Sequence, residues 1–242
     1  MSICCYYPNN RRRHNLYTML TPKNIIIDDA IRAVCPEFVG AAVYAEVTNT
    51  PRSASLWEEI RDSLSTTASH NNTETLKQIS GISATRQVYR ALGKDPSRYR
   101  PSNEALIRRV LQGKGLYQIS TLVDAVNLAS IEYKYSIGGF DFDKIHGDTL
   151  TLGVGRHDEP YEGIGRGMLN IENLPVYRDS IGGIGTPTSD NERTKLSLNT
   201  TALLAIINGY DGNKPNVRAC AERLAHLLET YASATWTDIQ EF

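Results

Sequence analysis

The chain has 242 residues, and its 26 Lys and Arg against 27 Asp and Glu leave a net charge of −1. That balance excludes a surface built throughout as a polybasic clamp for nucleic acid, though not a local basic patch. Hydrophobic residues make up 40%, mean hydropathy is −0.35, and the longest unbroken apolar run is the six residues Ala202–Ile207, far short of the ~20 a membrane helix needs.

Residues 1–18 carry Arg11, Arg12 and Arg13 after Pro8, with no apolar stretch behind them, so they do not read as a secretory signal. A disordered extension is the expectation, and a basic arm touching nucleic acid the alternative. Patterned sequence begins right after Met19, an alternative start. Ile25–Ile27 predicts a strand, with Asp28 and Asp29 capping a helix to about Val34. Val39–Val47 predicts a second strand by alternation of Val43, Ala45 and Val47 with Tyr44, Glu46 and Thr48. Ser55–Ser65 predicts a helix on the stripe Leu56, Ile60 and Leu64, and the polar run Ser65–Thr75 a loop. Helices follow over Thr85–Leu92 behind Ser83, from Ser102 to Leu111, and from Ser120 or Thr121 onward.

From Tyr135 to Tyr210 glycine becomes frequent and the period shortens to two. Strands are expected at Phe140–Ile145, Thr149–Val154, Met168–Ile171 and Leu196–Leu198. A closing helix runs from about Pro215 to Tyr231 on Val217, Cys220, Leu224, Leu227, Leu228 and Tyr231. No linker divides residues 19–242, and helices before strands argue for an α+β domain. Of the four cysteines, adjacent Cys4 and Cys5 do not readily bridge, and Cys35 and Cys220 sit in helical contexts as buried thiols. A reducing cytoplasm suits this usage.

Signatures for zinc peptidases, phosphate-binding loops and serine hydrolases are missing, and no histidine pairs with another at metal spacing. No metal or cofactor is therefore expected. The glycine clusters Gly163-Ile-Gly165-Arg-Gly167 and Gly182-Gly183-Ile-Gly185 read first as turns and bulges, and second as backbone approaching a ligand. Arg98, Arg100, Arg108 and Arg109 gather near Arg86, Arg90, Lys94 and Lys114; a solvated helical face is the ordinary reading, and phosphate contact the sharper one. Asp124 and Asn127 fall three apart and share a helix face.

Four segments in order then carry a resemblance. Arg100-Pro-Ser-Asn103, Leu122-Val-Asp-Ala-Val-Asn127, Phe140-Asp-Phe-Asp-Lys-Ile-His-Gly147, and Ile181-Gly-Gly-Ile184 with Thr194 resemble successive motifs of the B3/B4 domain of the phenylalanyl-tRNA synthetase beta subunit. In the synthetase this domain hydrolyses tyrosine wrongly attached to the phenylalanine tRNA. The match spans about Arg86 to Tyr210. The flanking segments resemble the additions of stand-alone B3/B4 proteins. The resemblance implies helices packed on a mostly antiparallel, partly barrel-like sheet, plus a C-terminal helix. It implies a ligand pocket holding Asn127, Gly138, Gly182, Gly183, Thr186 and Thr194, with backbone N–H groups near Gly182 and Gly183 as oxyanion donors. It further implies an amino acid or aminoacyl ester as ligand, with tRNA phosphates near Arg98, Arg100, Arg108 and Arg109.

Three positions depart from the family's editing site. Val126 stands where the family has Thr, Gly138 where it has His, and the stretch after Thr194 lacks an acid. The readings are thus a trans-acting hydrolase of mischarged aminoacyl esters, a binding module that has lost the editing side chains, and an unrelated small-molecule enzyme on a reused fold. Asp124, Glu162 and His157 are the candidates to replace the missing groups.

Overall fold

The run Ala202–Ile207 is apolar without alternation because both its faces are covered. In the computed structural model, which describes residues 20–242, it lies in a strand of eight buried residues, Ala202–Gly209. The expectations for Cys4, Cys5, Arg11–Arg13 and Met19 fall outside the described residues.

In chain order the elements are β1 (Asn24–Ile27), α1 (Asp29–Val34), β2 (Val39–Glu46), α2 (Ala54–His70), α3 (Ser80–Ala91), α4 (Ser102–Leu111) and α5 (Thr121–Tyr133). There follow β3 (Ile137–Asp141), β4 (Thr149–Val154), β5 (Glu162–Gly163), β6 (Gly167–Met168), β7 (Pro175–Arg178), β8 (Gly183–Gly185), β9 (Ala202–Gly209), α6 (Lys214–Tyr231) and β10 (Trp236–Glu241). One sheet runs β10-β2-β9-β3, antiparallel throughout. The other runs β1-β4-β7-β8, antiparallel except for the parallel pair β1–β4. The architecture is α+β, and neither sheet closes into a barrel.

Side-chain alternation on β2 and β9 builds a three-layer stack. Ala41, Val43, Ala45, Leu203, Ala205 and Ile207 face α2, α5 and α6. Ala42, Tyr44, Leu204 and Ile206 face the second sheet through Leu150, Leu152, Tyr177 and Ile184. A smaller cluster of Leu76, Ile82, Ile107, Val110 and Ile131 joins α3, α4 and α5. Cys35 and Cys220 are buried free thiols, and desolvation pushes Cys35 up to about 12.

Several elements differ from expectation for identifiable reasons. α2 continues through the polar run to His70, with Thr67 buried against the protein and the Asn71 side-chain amide donating to the Thr67 carbonyl at the helix end. α3 begins at Ser80, so Ser83 lies inside it. β3 begins at Ile137 and ends at Asp141, where a 3₁₀ turn over Phe142–Lys144 takes over. Leu196–Leu198 forms no strand; Lys195 alone bridges to Phe140 along the free edge of β3. β1 and β2 form where strands were expected, while β9 and β10 are strands for which no expectation was made.

Candidate functional site

β3 sits at one end of its sheet, paired to β9 along one edge only. Its other edge needs partners for its backbone groups. The segment after β8 supplies them: Lys195 bridges Phe140, and the Asp190 carboxylate accepts from Gly139 N–H at 3.1 Å. Between this edge and the helices α4 and α5 lies a cavity of about 230 Å³. Its walls are largely apolar, with Leu106, Val123, Val126, Ile137 and Leu196 among them. Asn127, Ser130, Asp190 and Lys195 bring polar groups to it, and Ile119 and Ile164 reach it from exposed positions. Drug-sized sites occupy ~300–1,000 Å³. A space of this size suits a group on the scale of one amino-acid side chain.

Asp190 has the most perturbed chemistry in the cavity. Burial pushes its carboxyl up to about 7, partly offset by the Gly139 N–H. Its carboxyl makes no other hydrogen bond and no ion pair among the described residues. Lys195, the other charged residue lining the cavity, is paired with Glu192. Asn127 comes from the middle of α5, and its side-chain amide has no hydrogen-bond partner among the described residues.

Of the six residues expected to form the ligand pocket, this cavity takes in Asn127, and Val126, which stands where the family has Thr, lines it as well. Gly138 lies behind its wall. A Cβ there would stand 2.6 Å from the Phe140 ring and 3.2 Å from Asp190 Oδ1, so that ring occupies the space a larger residue would need. Gly182 N–H donates to Asp179 Oδ1 at 3.0 Å and is committed within its own turn. Gly183 belongs to β8 and packs on Tyr161, whose ring would be 2.8 Å from an added Cβ. Thr186 donates to the Ser189 carbonyl and accepts from the Thr188 and Ser189 N–H groups, closing a turn. Thr194 is fully buried, with its hydroxyl directed at the Ile184 carbonyl.

The three replacement candidates have other partners or surroundings. Asp124 accepts from Trp57 Nε1 at 2.6 Å and from Ile119 N–H, tying α2 to the start of α5; burial still raises its pKa. His157 is exposed beside Glu172 and Asp158, which raise its pKa. Glu162 is exposed in β5.

The arginines divide. Glu104 is fully buried and takes Arg86 and Arg108, each at 2.8 Å, with Arg100 at 3.8 Å. Arg86 and Arg108 therefore neutralise an internal acid, as a buried carboxylate requires. Arg109 stacks on the exposed Tyr117 ring. Arg98 and Arg100 remain exposed.

Asp190, Gly139 and Lys195 went unnoticed in the sequence. Asp190 ends the polar run Thr186-Pro-Thr-Ser-Asp190, which reads as a solvated turn; only the packing of that turn on β3 makes the acid unusual.

The motif order now has a direct counterpart. The family model described as the B3/4 domain matches residues 84–233, well over half of the chain. The chain belongs to the B3/4 domain family. The B3/4 match runs from within α3 to the end of α6, and includes the helical and strand walls of the cavity. It also includes the C-terminal helix α6, which the sequence resemblance leaves outside. Among solved structures, an N-terminal fragment of the phenylalanyl-tRNA synthetase beta subunit from Pyrococcus horikoshii is similar at 12% identity and a TM-score of 0.44. The similarity covers 91% of this B3/4 protein and 52% of that chain, so this chain spans about half the length of that fragment. No curated protein matches. No helix among the described residues is long and apolar enough to cross a membrane.

Proposed function

We propose that this B3/4 protein receives the aminoacyl end of a mischarged tRNA in the cavity beside β3 and hydrolyses its ester. The observation that carries the reading is Asn127, a side-chain amide without a partner among the described residues, on the wall of an amino-acid-sized apolar cavity. Ester hydrolysis develops negative charge on the carbonyl oxygen, and a fixed N–H donor at that point lowers the barrier. Asn127 Nδ2 is that donor, while Val123, Val126 and Leu196 hold the apolar side chain and exclude water around it. The neighbouring ribose hydroxyl of the substrate positions the attacking water, since no imidazole lines this cavity. The exposed Arg98 and Arg100 contact tRNA phosphates.

A specific observation favours a second reading, in which the cavity binds but does not hydrolyse. Val126 and Gly138 stand where the resembling domain carries Thr and His, and the Phe140 ring fills the space beside Gly138. The test is deacylation of mistyrosylated phenylalanine tRNA by the purified protein. Turnover above the buffer rate is expected, reduced about 10²–10³-fold in Asn127→Ala, the usual effect of removing one oxyanion donor. If the native protein deacylates none of the mischarged tRNAs tried, the binding reading takes its place.

A further inference from the structure

We propose that the chain forms a symmetric dimer by pairing the free edge of β10 with the same edge of a second copy, joining the two β10-β2-β9-β3 sheets into one.

β10 ends its sheet, with β2 on one side and no strand on the other among the described residues. Gly40 and Phe242 exchange N–H···O bonds of 2.8 and 3.0 Å. Antiparallel alternation therefore turns the backbone groups of Gln240, Asp238 and Trp236 toward β2, and those of Thr237, Ile239 and Glu241 outward. Free edges are ordinarily blunted by a bulge, a proline or a lysine. Trp236–Glu241 has none of these and keeps unbroken register with β2.

What β10 leaves unsatisfied says which strand fits. Asp238 is half-buried, with no hydrogen bond or ion pair among the described residues. Gln240 accepts from the Tyr44 hydroxyl at 3.2 Å through Oε1, and its Nε2 has no acceptor among the described residues. Antiparallel pairing about a twofold axis at Ile239 sets Asp238 opposite Gln240 of the other copy, twice. These positions fall between the bonded pairs of the new ladder, where facing side chains come closest. Each free amide then donates to the carboxylate across the seam. The same register sets Trp236 opposite Phe242 and Thr237 opposite Glu241, so no like charges meet. An axis moved to Asp238 would set that carboxylate against itself.

The charges of α6 agree with this axis. Lys214 and Arg218 hold Glu241 at one end of β10, and Glu229 accepts from Thr237 at the other, with no cation on it among the described residues. The twofold brings the basic end of each copy to the acidic end of the other. The cavity lies beside β3, at the opposite edge of the sheet, so both cavities stay open in the dimer.

The test is sedimentation equilibrium of the full chain across micromolar concentrations, where the native protein is expected as a dimer. Gln240→Glu keeps an acceptor for Tyr44 but opposes two carboxylates at each crossing, and should weaken the dimer at least about tenfold. Adding Asp238→Asn exchanges donor and acceptor and should restore the dimer. Thr237→Pro removes an outward N–H and no bond to β2, and should weaken it as well. Circular dichroism confirms the fold of each variant. A monomeric native chain overturns the proposal, as does a dimer indifferent to both Gln240→Glu and Thr237→Pro. A double variant no stronger than Gln240→Glu alone overturns it too. Deacylation of mischarged tRNA has no bearing on these outcomes.

Discussion

Gly138 shows how one residue restricts what the site is able to contain. The ring of Phe140 folds back over it and over Gly185, within 2.6 Å and 2.5 Å of where Cβ atoms would stand. Gly138→Ala should therefore destabilise the protein by about 1–3 kcal/mol, the usual cost of overpacking, measured by denaturant unfolding. Unchanged stability would mean that the ring moves aside freely. Asp190 makes a second prediction at this scale. Its folded pKa of about 7 lies above the ordinary 3.8, so between these values the folded chain holds a proton that the unfolded chain has released. Its contribution to stability should then fall as pH rises from about 4 to about 7 and change little above, and Asp190→Asn should remove that contribution. Thermal melts of both chains across this range check it; an identical pH profile for the native protein and Asp190→Asn would contradict it. Asn127 was visible in the sequence because a motif with neighbours on both sides carries it. Asp190 was not, because its carboxyl differs from a solvated one only through the edge of β3 that packs on it.

Among the elements, β9 dominates the fold. Leu203 and Ile207 face the helical layer while Leu204 and Ile206 face the second sheet, so one strand anchors both cores. Ile206→Ala should cost about 2–5 kcal/mol in chemical denaturation, a large buried side chain with little room to collapse around the void. A cost under about 1 kcal/mol would mean that the two layers are less tightly joined. The helices and the strands β1, β2 and β4 were legible because each carries a stripe, an alternation or a cap. Alternation gives no signal for β9, whose two covered faces erase the period of two. It also missed β10, where every residue is half-buried and no apolar face stands out. α2 runs past its predicted end because tertiary packing buries Thr67 in an otherwise polar turn and the Asn71 amide satisfies the Thr67 carbonyl.

For the whole molecule, a net charge of −1 makes any nucleic-acid contact local. The ion pairs around Glu104 withdraw Arg86 and Arg108 from that role and leave Arg98 and Arg100 exposed. Arg98→Ala with Arg100→Ala should weaken tRNA binding and reduce its dependence on salt, the slope falling by roughly 1 for each phosphate that is no longer neutralised. An unaltered slope would move the tRNA to another face. The central claim is that the cavity beside β3 receives an aminoacyl group, and its most direct test is equilibrium binding of a non-hydrolysable aminoacyl-adenosine amide to the native chain and to Val123→Phe. Val123 lines the cavity without being fully buried in the core, so the larger ring fills the space while the melting temperature reports the fold. Measurable binding by the native chain, weakened at least about tenfold in the filled variant at unchanged melting temperature, is the predicted result. Equal binding by both chains, or none by the native one, would contradict it.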